Sequence, residues 1–230
     1  MKHLILLHGW ATDSRIWQEQ RQAFQDRANL WTPDLPNWEA QWLRQSLQRF
    51  DPAETVLVGW SLGGMLALEA CAGGFAPAAL VLIAACASFC QRPDYQLGVA
   101  PAVLRGMRRR LRDQADQVVQ DFQQQLLAPS EAAWQEGLQE LLPLHQDPGW
   151  LAAGLDYLRY TDLRPILAQV RAGTVLVVHG TADRITPVAQ AYFLEEHLPT
   201  ARLQLLRDTG HVPMLTHGRE VNSLLATLLS

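Results

Sequence analysis

Thr55-Val56-Leu57-Val58-Gly59-Trp60-Ser61-Leu62-Gly63-Gly64-Met65-Leu66-Ala67-Leu68-Glu69-Ala70-Cys71-Ala72 is the stretch that decides the fold. Residues 55–58 are mostly apolar and mostly β-branched and read as a buried strand. Residues 59–64 read as a turn, and 65–72 as a helix. The turn carries Gly-x-Ser-x-Gly between a strand and a helix. The spacing has a steric cause. A serine on a sharp turn at the carboxyl end of a strand pushes its hydroxyl into a cleft. Bulky side chains two residues to either side would meet the neighbouring strand and helix, hence Gly59 and Gly63. The N-terminus of the following helix points at the hydroxyl and favours negative charge developing there. Ser61 is therefore the candidate nucleophile.

Working outward, strands and helices alternate. Residues 3–7 form a short apolar run closed by His8-Gly9 and read as a buried strand. Residues 14–28 look helical, 29–32 form a second strand, and 38–50 a helix with Trp42, Leu43, Leu47 and Phe50 as its apolar positions. Residues 80–84 are another buried strand. Between about Pro93 and Tyr160 helical stretches with Gln, Arg and Glu on their polar faces replace the alternation. Strands resume at 174–178 and 202–206. This order predicts a mostly parallel sheet with helices on both faces. Its core comprises residues 1–92 and 161–230, and residues 93–160 are a helical insertion expected to form a lid over a site.

The bulk numbers narrow the class. A chain of 230 residues makes one domain with a substantial core. With 48% hydrophobic and 18% charged residues it is globular rather than disordered. A net charge of -4 is too mild for a nucleic-acid binder. Cys71, Cys86 and Cys90 make an odd set without paired spacing, which argues against a disulfide framework and fits a reducing compartment. The apolar run of residues 4–7 is too short for a signal-peptide core or a membrane span. The expectation is a cytoplasmic monomer with no membrane and no nucleic acid.

A serine hydroxyl needs a base, and the base needs an orienting carboxylate. His211, in Gly210-His211-Val212-Pro213, follows the strand at 202–206 and is the expected base. Asp183 follows the strand at 174–178 and is the expected orienter. Asp208 is nearer in sequence but shares the loop of His211, and is set aside. His145, His197 and His217 read as surface or helix-end residues, His179 as a residue packed at a strand end, and His3 as the start of a strand. The backbone amides of Trp10 and Leu62 are the expected oxyanion donors. Acyl transfer by Ser61, Asp183 and His211 needs no metal and no cofactor.

These residues resemble a known family, the pimeloyl-[acyl-carrier protein] methyl ester carboxylesterases of biotin synthesis, within the α/β-hydrolase fold. The resemblance is carried by Leu6-Leu7-His8-Gly9-Trp10, Asp34-Leu35-Pro36, Gly59-Trp60-Ser61-Leu62-Gly63-Gly64, Ala100-Pro101-Ala102-Val103-Leu104, the stretch from Gly154-Leu155 to Asp162-Leu163-Arg164, and the histidine loop. It implies release of methanol from a pimeloyl chain held on acyl-carrier protein. It also implies that Trp10, Leu62, His211 and the lid segment starting at Phe122, which includes Leu126, touch the acyl chain. The short lead into the His-Gly strand implies that the leading antiparallel strands of the larger fold are missing.

The chain departs from the family at the lid. Positions where the family carries arginines for the acidic carrier hold Gln117, Asp121, Trp134 and Leu138. Arginines lie earlier instead. At about 100° per residue, Arg105, Arg109 and Arg112 cluster with Arg108 beside them, and Leu104, Met107, Leu111, Val118 and Phe122 form an apolar stripe on the same helix. The basic side suits an acidic carrier or a phosphate. Three other readings stand beside this one. They are a short-chain carboxylesterase without carrier preference, a lyase acting on a menaquinone precursor, and a non-catalytic scaffold of the same fold.

Overall fold

The computed structural model describes residues 1–142 and 146–230; His145, read above as a surface residue, lies outside the described residues. The elements run β1 (His3–Leu7), α1 (Gln18–Phe24), β2 (Asn29–Trp31), α2 (Ala40–Leu47), β3 (Thr55–Trp60), α3 (Leu62–Ala72) and β4 (Ala79–Ile83). Four helices follow: α4 (Pro101–Arg110), α5 (Ala115–Gln123), α6 (Gln135–Leu141) and α7 (Pro148–Tyr160). The chain then returns through β5 (Thr174–Gly180), α8 (Ala189–His197), β6 (Ala201–Leu206), α9 (Pro213–Thr216) and α10 (Gly218–Leu229).

Among the described residues one sheet forms, in the order β2-β1-β3-β4-β5-β6, and every pairing in it is parallel. The central strands β3 and β4 are buried along their whole length, because helices cover both faces. Each Val, Leu or Ile they bury is worth about 1.5–3 kcal/mol. The outer strand β6 alternates half-buried and exposed residues, as an edge strand should. Chain order reverses between β1 and β3, and the crevice beyond the carboxyl ends of strands at such a point is where ligands bind in open α/β sheets. The loop after β1 and the turn after β3 both lie there.

Two of the differences from the sequence reading bear on the site. The strand before Ser61 runs on through Gly59 and Trp60, and α3 starts at Leu62, so the turn is Ser61 alone. The apolar stripe from Leu104 to Phe122 does not ride on one helix. The chain turns at residues 111–114 and restarts as α5. On one straight helix Leu104 and Phe122 would stand about 27 Å apart; the turn instead lets both line one pocket. It also takes Arg112 off the helix, so only Arg105, Arg108 and Arg109 share the face of α4.

Three tryptophans fix α7 to the loops that follow β1 and β2. Trp38 does not enter α2; its indole N–H donates to Trp150 O at 3.0 Å. The Trp150 indole donates to Leu35 O at 2.9 Å, and that of Trp10 to Leu151 O at 2.8 Å. Among the described residues no helix is long and apolar enough to cross a membrane.

Candidate active site

Ser61 occupies φ 53°, ψ -121°, a region that costs a residue with a side chain about 1–3 kcal/mol. The surroundings hold it there. Its N–H donates to Ile83 O at 2.9 Å, and its carbonyl accepts from Gly64 and Met65, which starts α3 at once. A Cβ on Gly59 would stand 2.5 Å from Gly63 O, and one on Gly63 would stand 2.6 Å from Leu7 O. Both glycines are therefore required by the close approach of the turn to its own helix and to β1.

His211 Nε2 lies 3.0 Å from Ser61 Oγ, and His211 Nδ1 lies 2.7 Å from Asp183 Oδ2. All three side chains come from the ends of different strands, β3, β5 and β6. Asp183 is anchored through its other oxygen, which accepts the N–H groups of Ile185 at 2.8 Å and Thr186 at 2.9 Å. Burial alone would raise its pKa. The charge and hydrogen bond of His211, with His179 and the Thr186 amide, outweigh burial and hold the carboxyl below the ordinary value. An ionised Asp183 only accepts, so Nδ1 carries the imidazole proton and Nε2 faces the serine hydroxyl as acceptor. Asp208 lies elsewhere: it is exposed, at φ 53°, and its N–H donates to Thr181 Oγ1.

His179 packs beneath this pair, fully buried. Its Nε2 donates to Thr186 O at 2.8 Å and stands 3.4 Å from Asp183 Oδ2, and burial lowers its pKa. Trp60 holds His211 from another side: its indole N–H donates to His211 O at 2.7 Å.

His8 fixes the loop after β1. Its Nδ1 donates to Gly9 O and its Nε2 accepts the Leu35 N–H, both at 2.9 Å, while burial lowers its pKa and keeps the ring neutral. Gly9 lies against the elbow, where an added Cβ would stand 3.1 Å from Ser61 Cβ. Among the described residues the amides of Trp10 and Leu62 donate no hydrogen bond. Leu62 opens α3, so its amide has no partner within the helix.

Beyond Trp10 lies an apolar pocket of about 90 Å³, walled by Trp10, Leu104, Met107, Phe122, Leu155 and Ile185, with Arg184 at its lining. Phe122 meets the Trp10 ring edge-to-face at 4.9 Å. Leu126 is fully buried and does not line this pocket; its carbonyl accepts the His211 N–H at 2.7 Å. Leu155 belongs to the Gly154-Leu155 pair that carries part of the family resemblance, whereas Ile185 and Arg184 carry no sequence signal beyond nearness to Asp183.

A profile of the alpha/beta hydrolase family matches residues 4–224. The chain belongs to the alpha/beta hydrolase family. This hydrolase is 33% identical over 230 residues to a "Pimeloyl-[acyl-carrier protein] methyl ester esterase" of Nitrosomonas europaea, covering 93% of this chain and 90% of the relative. It is 30% identical to a protein of the same name in Aromatoleum aromaticum, covering 94% of each chain. An esterase from Exiguobacterium antarcticum superposes with a TM-score of 0.84 over 100% of this chain and 92% of its own, at 19% identity, a likeness of fold.

The five arginines between residues 105 and 112 divide into two sets. Arg108 pairs with Asp156 of α7 at 3.1 Å, and Arg110 with Asp121 of α5 at 2.6 Å. Among the described residues, Arg105, Arg109 and Arg112 are exposed and form no ion pair. No three His, Cys, Asp or Glu side chains among the described residues gather as a metal ion would need.

Proposed function

We propose that this hydrolase is a serine carboxylesterase that removes the methyl group, as methanol, from a pimeloyl chain carried on acyl-carrier protein, a step of biotin synthesis in the cytoplasm. The chemistry rests on one observation, the continuous hydrogen-bonded line from Ser61 Oγ through His211 to Asp183. The substrate is supported by the names of relatives that align over more than nine-tenths of the chain.

His211 Nε2 takes the Ser61 proton as Oγ attacks the ester carbonyl. The amides of Trp10 and Leu62 hold the oxyanion. The carbonyl re-forms, methanol leaves with the proton from His211, and Ser61 is acylated. Water, deprotonated by His211, then attacks the acyl group; the free acid leaves and Ser61 regains its proton. Asp183 holds the imidazole tautomer through both halves. The pocket beyond Trp10 takes the acyl chain, and the helical insertion, residues 93–160, acts as its lid. The exposed arginines of and beyond α4, Arg105, Arg109 and Arg112, with Arg108 beside them, face the acidic carrier.

The test compares kcat/KM for the pimeloyl-carrier methyl ester with that for short p-nitrophenyl esters. A preference for the carrier ester supports the proposal. Equal values would make the chain a carboxylesterase without carrier preference. Replacing Arg105, Arg109 and Arg112 together with Glu should lower kcat/KM for the carrier ester by about 10–100-fold at low salt, and less at higher salt. Hydrolysis of the small ester should stay within about twofold; equal losses on both would remove the docking surface. Phe122→Ala should raise KM for a pimeloyl ester by about 10-fold and leave acetyl-ester hydrolysis little changed, because it removes apolar contact only from the longer chain. An unchanged pimeloyl KM would place the acyl chain elsewhere.

A further inference from the structure

Glu131 is 5% exposed, and the chemistry above makes no use of it. It sits in the turn Pro129–Trp134, where Oε2 accepts the Ala128 N–H at 2.8 Å, the reach-back half of a capping box. The same oxygen also accepts the Gly210 N–H at 2.8 Å, from a loop 79 residues away. His217 Nδ1 flanks the other oxygen at 3.6 Å. The neighbouring bonds join the same two segments: the His211 N–H to Leu126 O, and the Ser130 hydroxyl to Asp208 O. Residues 126–131 of the helical insertion thus clasp residues 208–211, the loop that carries the base. Gly210 is the residue this closeness demands, since a Cβ there would stand 2.5 Å from Leu126 O and 2.6 Å from Ala128 N.

We propose that Glu131 is a positioning residue for His211: by holding the Gly210 amide it keeps the imidazole aimed at Ser61. Capping alone would use only the Ala128 amide. A buried amide deprived of its acceptor drives the loop to a different arrangement, and an ångström of misplacement at a reacting centre costs about 10²-fold in rate. The proposal deepens the Ser61, His211 and Asp183 reading and is independent of the carrier substrate.

The test uses a short p-nitrophenyl ester and a fluorophosphonate that labels Ser61. Glu131→Ala should lower kcat and the labelling rate together by about 10–100-fold, with KM within about twofold. Assays are run well below the melting temperature of each variant. Glu131→Gln keeps an acceptor oxygen in place and should recover most of the loss. Gly210→Ala pushes the clasp apart from the other side and should reproduce the fall in kcat. Glu131→Met keeps the side chain's length and replaces Glu131→Ala if that variant does not fold. A folded Ala or Met variant with wild-type kcat and labelling rate overturns the proposal. So does a rise in KM at unchanged kcat, or an equal loss in Glu131→Gln. Activity surviving in Ser61→Ala would instead overturn the underlying reading of the site, so the two failures are distinct.

Discussion

Ser61→Ala will lower kcat on a p-nitrophenyl ester by about 10⁶-fold and abolish fluorophosphonate labelling, while the protein remains folded. The size of the loss follows from geometry. His211 Nε2 has one partner to deprotonate, Ser61 Oγ at 3.0 Å, and an alanine offers it nothing. Residual hydrolysis would come from the Trp10 and Leu62 amides and the pocket, which the substitution leaves in place. Stability should barely change, because the backbone strain at φ 53° belongs to alanine as much as to serine. Ser61→Gly separates the two contributions. Glycine adopts positive φ without steric cost, so this variant should be equally inactive yet more stable than Ser61→Ala by about 1 kcal/mol, a rise of roughly 2–4 °C in Tm. Substantial hydrolysis by purified Ser61→Ala would make another residue the nucleophile. Equal Tm values for the two variants would mean that the strain relieved at the turn does not exceed the entropy that glycine adds to the unfolded chain.

The elbow was legible in the sequence because its determinants are local. A β-branched run, two glycines around a serine and a helical continuation state the turn before any long-range contact is considered. His211 and Asp183 were legible for a related reason: each follows a recognisable strand, and parallel strands bring their carboxyl ends to one edge. The strand legible in the sequence stops short of β3 because Gly59 and Trp60 fall inside the Gly-x-Ser-x-Gly motif of the turn. Gly59 is there for the approach of Gly63, and Trp60 is there to reach the His211 carbonyl, so neither residue breaks the strand. The break at residues 111–114 was hidden because the apolar spacing keeps its phase from Leu104 through Leu111 to Val118. Only the pocket that Leu104 and Phe122 share makes the turn necessary. Glu131 gave no signal at all. It is one acid in a stretch rich in Gln and Glu, and its meaning comes from Gly210, which approaches it only in the folded chain.

Asp183→Asn should lower kcat by about 10⁴-fold with little change in KM. The asparagine can keep its carbonyl oxygen on the Ile185 and Thr186 amides, which fixes the side chain in its present orientation. Its NH2 group then replaces Oδ2 at 2.7 Å from His211 Nδ1. Two donors cannot face each other there, so Nδ1 must give up its proton and become the acceptor. The proton moves to Nε2, the atom 3.0 Å from Ser61 Oγ, and a protonated Nε2 cannot take the serine proton. The fold is intact and the base is in place, but in the wrong tautomer. Stability gives a second readout with a definite sign. The carboxyl of Asp183 is held below its ordinary pKa in the folded chain, so its ionised form stabilises the protein above the unfolded value of about 3.9. That contribution is lost as pH falls through the folded value. Wild type should therefore be more stable than Asp183→Asn at neutral pH, and the gap should close in acid. Asp208→Asn is the control. Asp208 meets Thr181 through its backbone N–H, so its variant should keep kcat within about twofold. A large loss at Asp208, with activity retained at Asp183→Asn, would exchange the roles of the two acids.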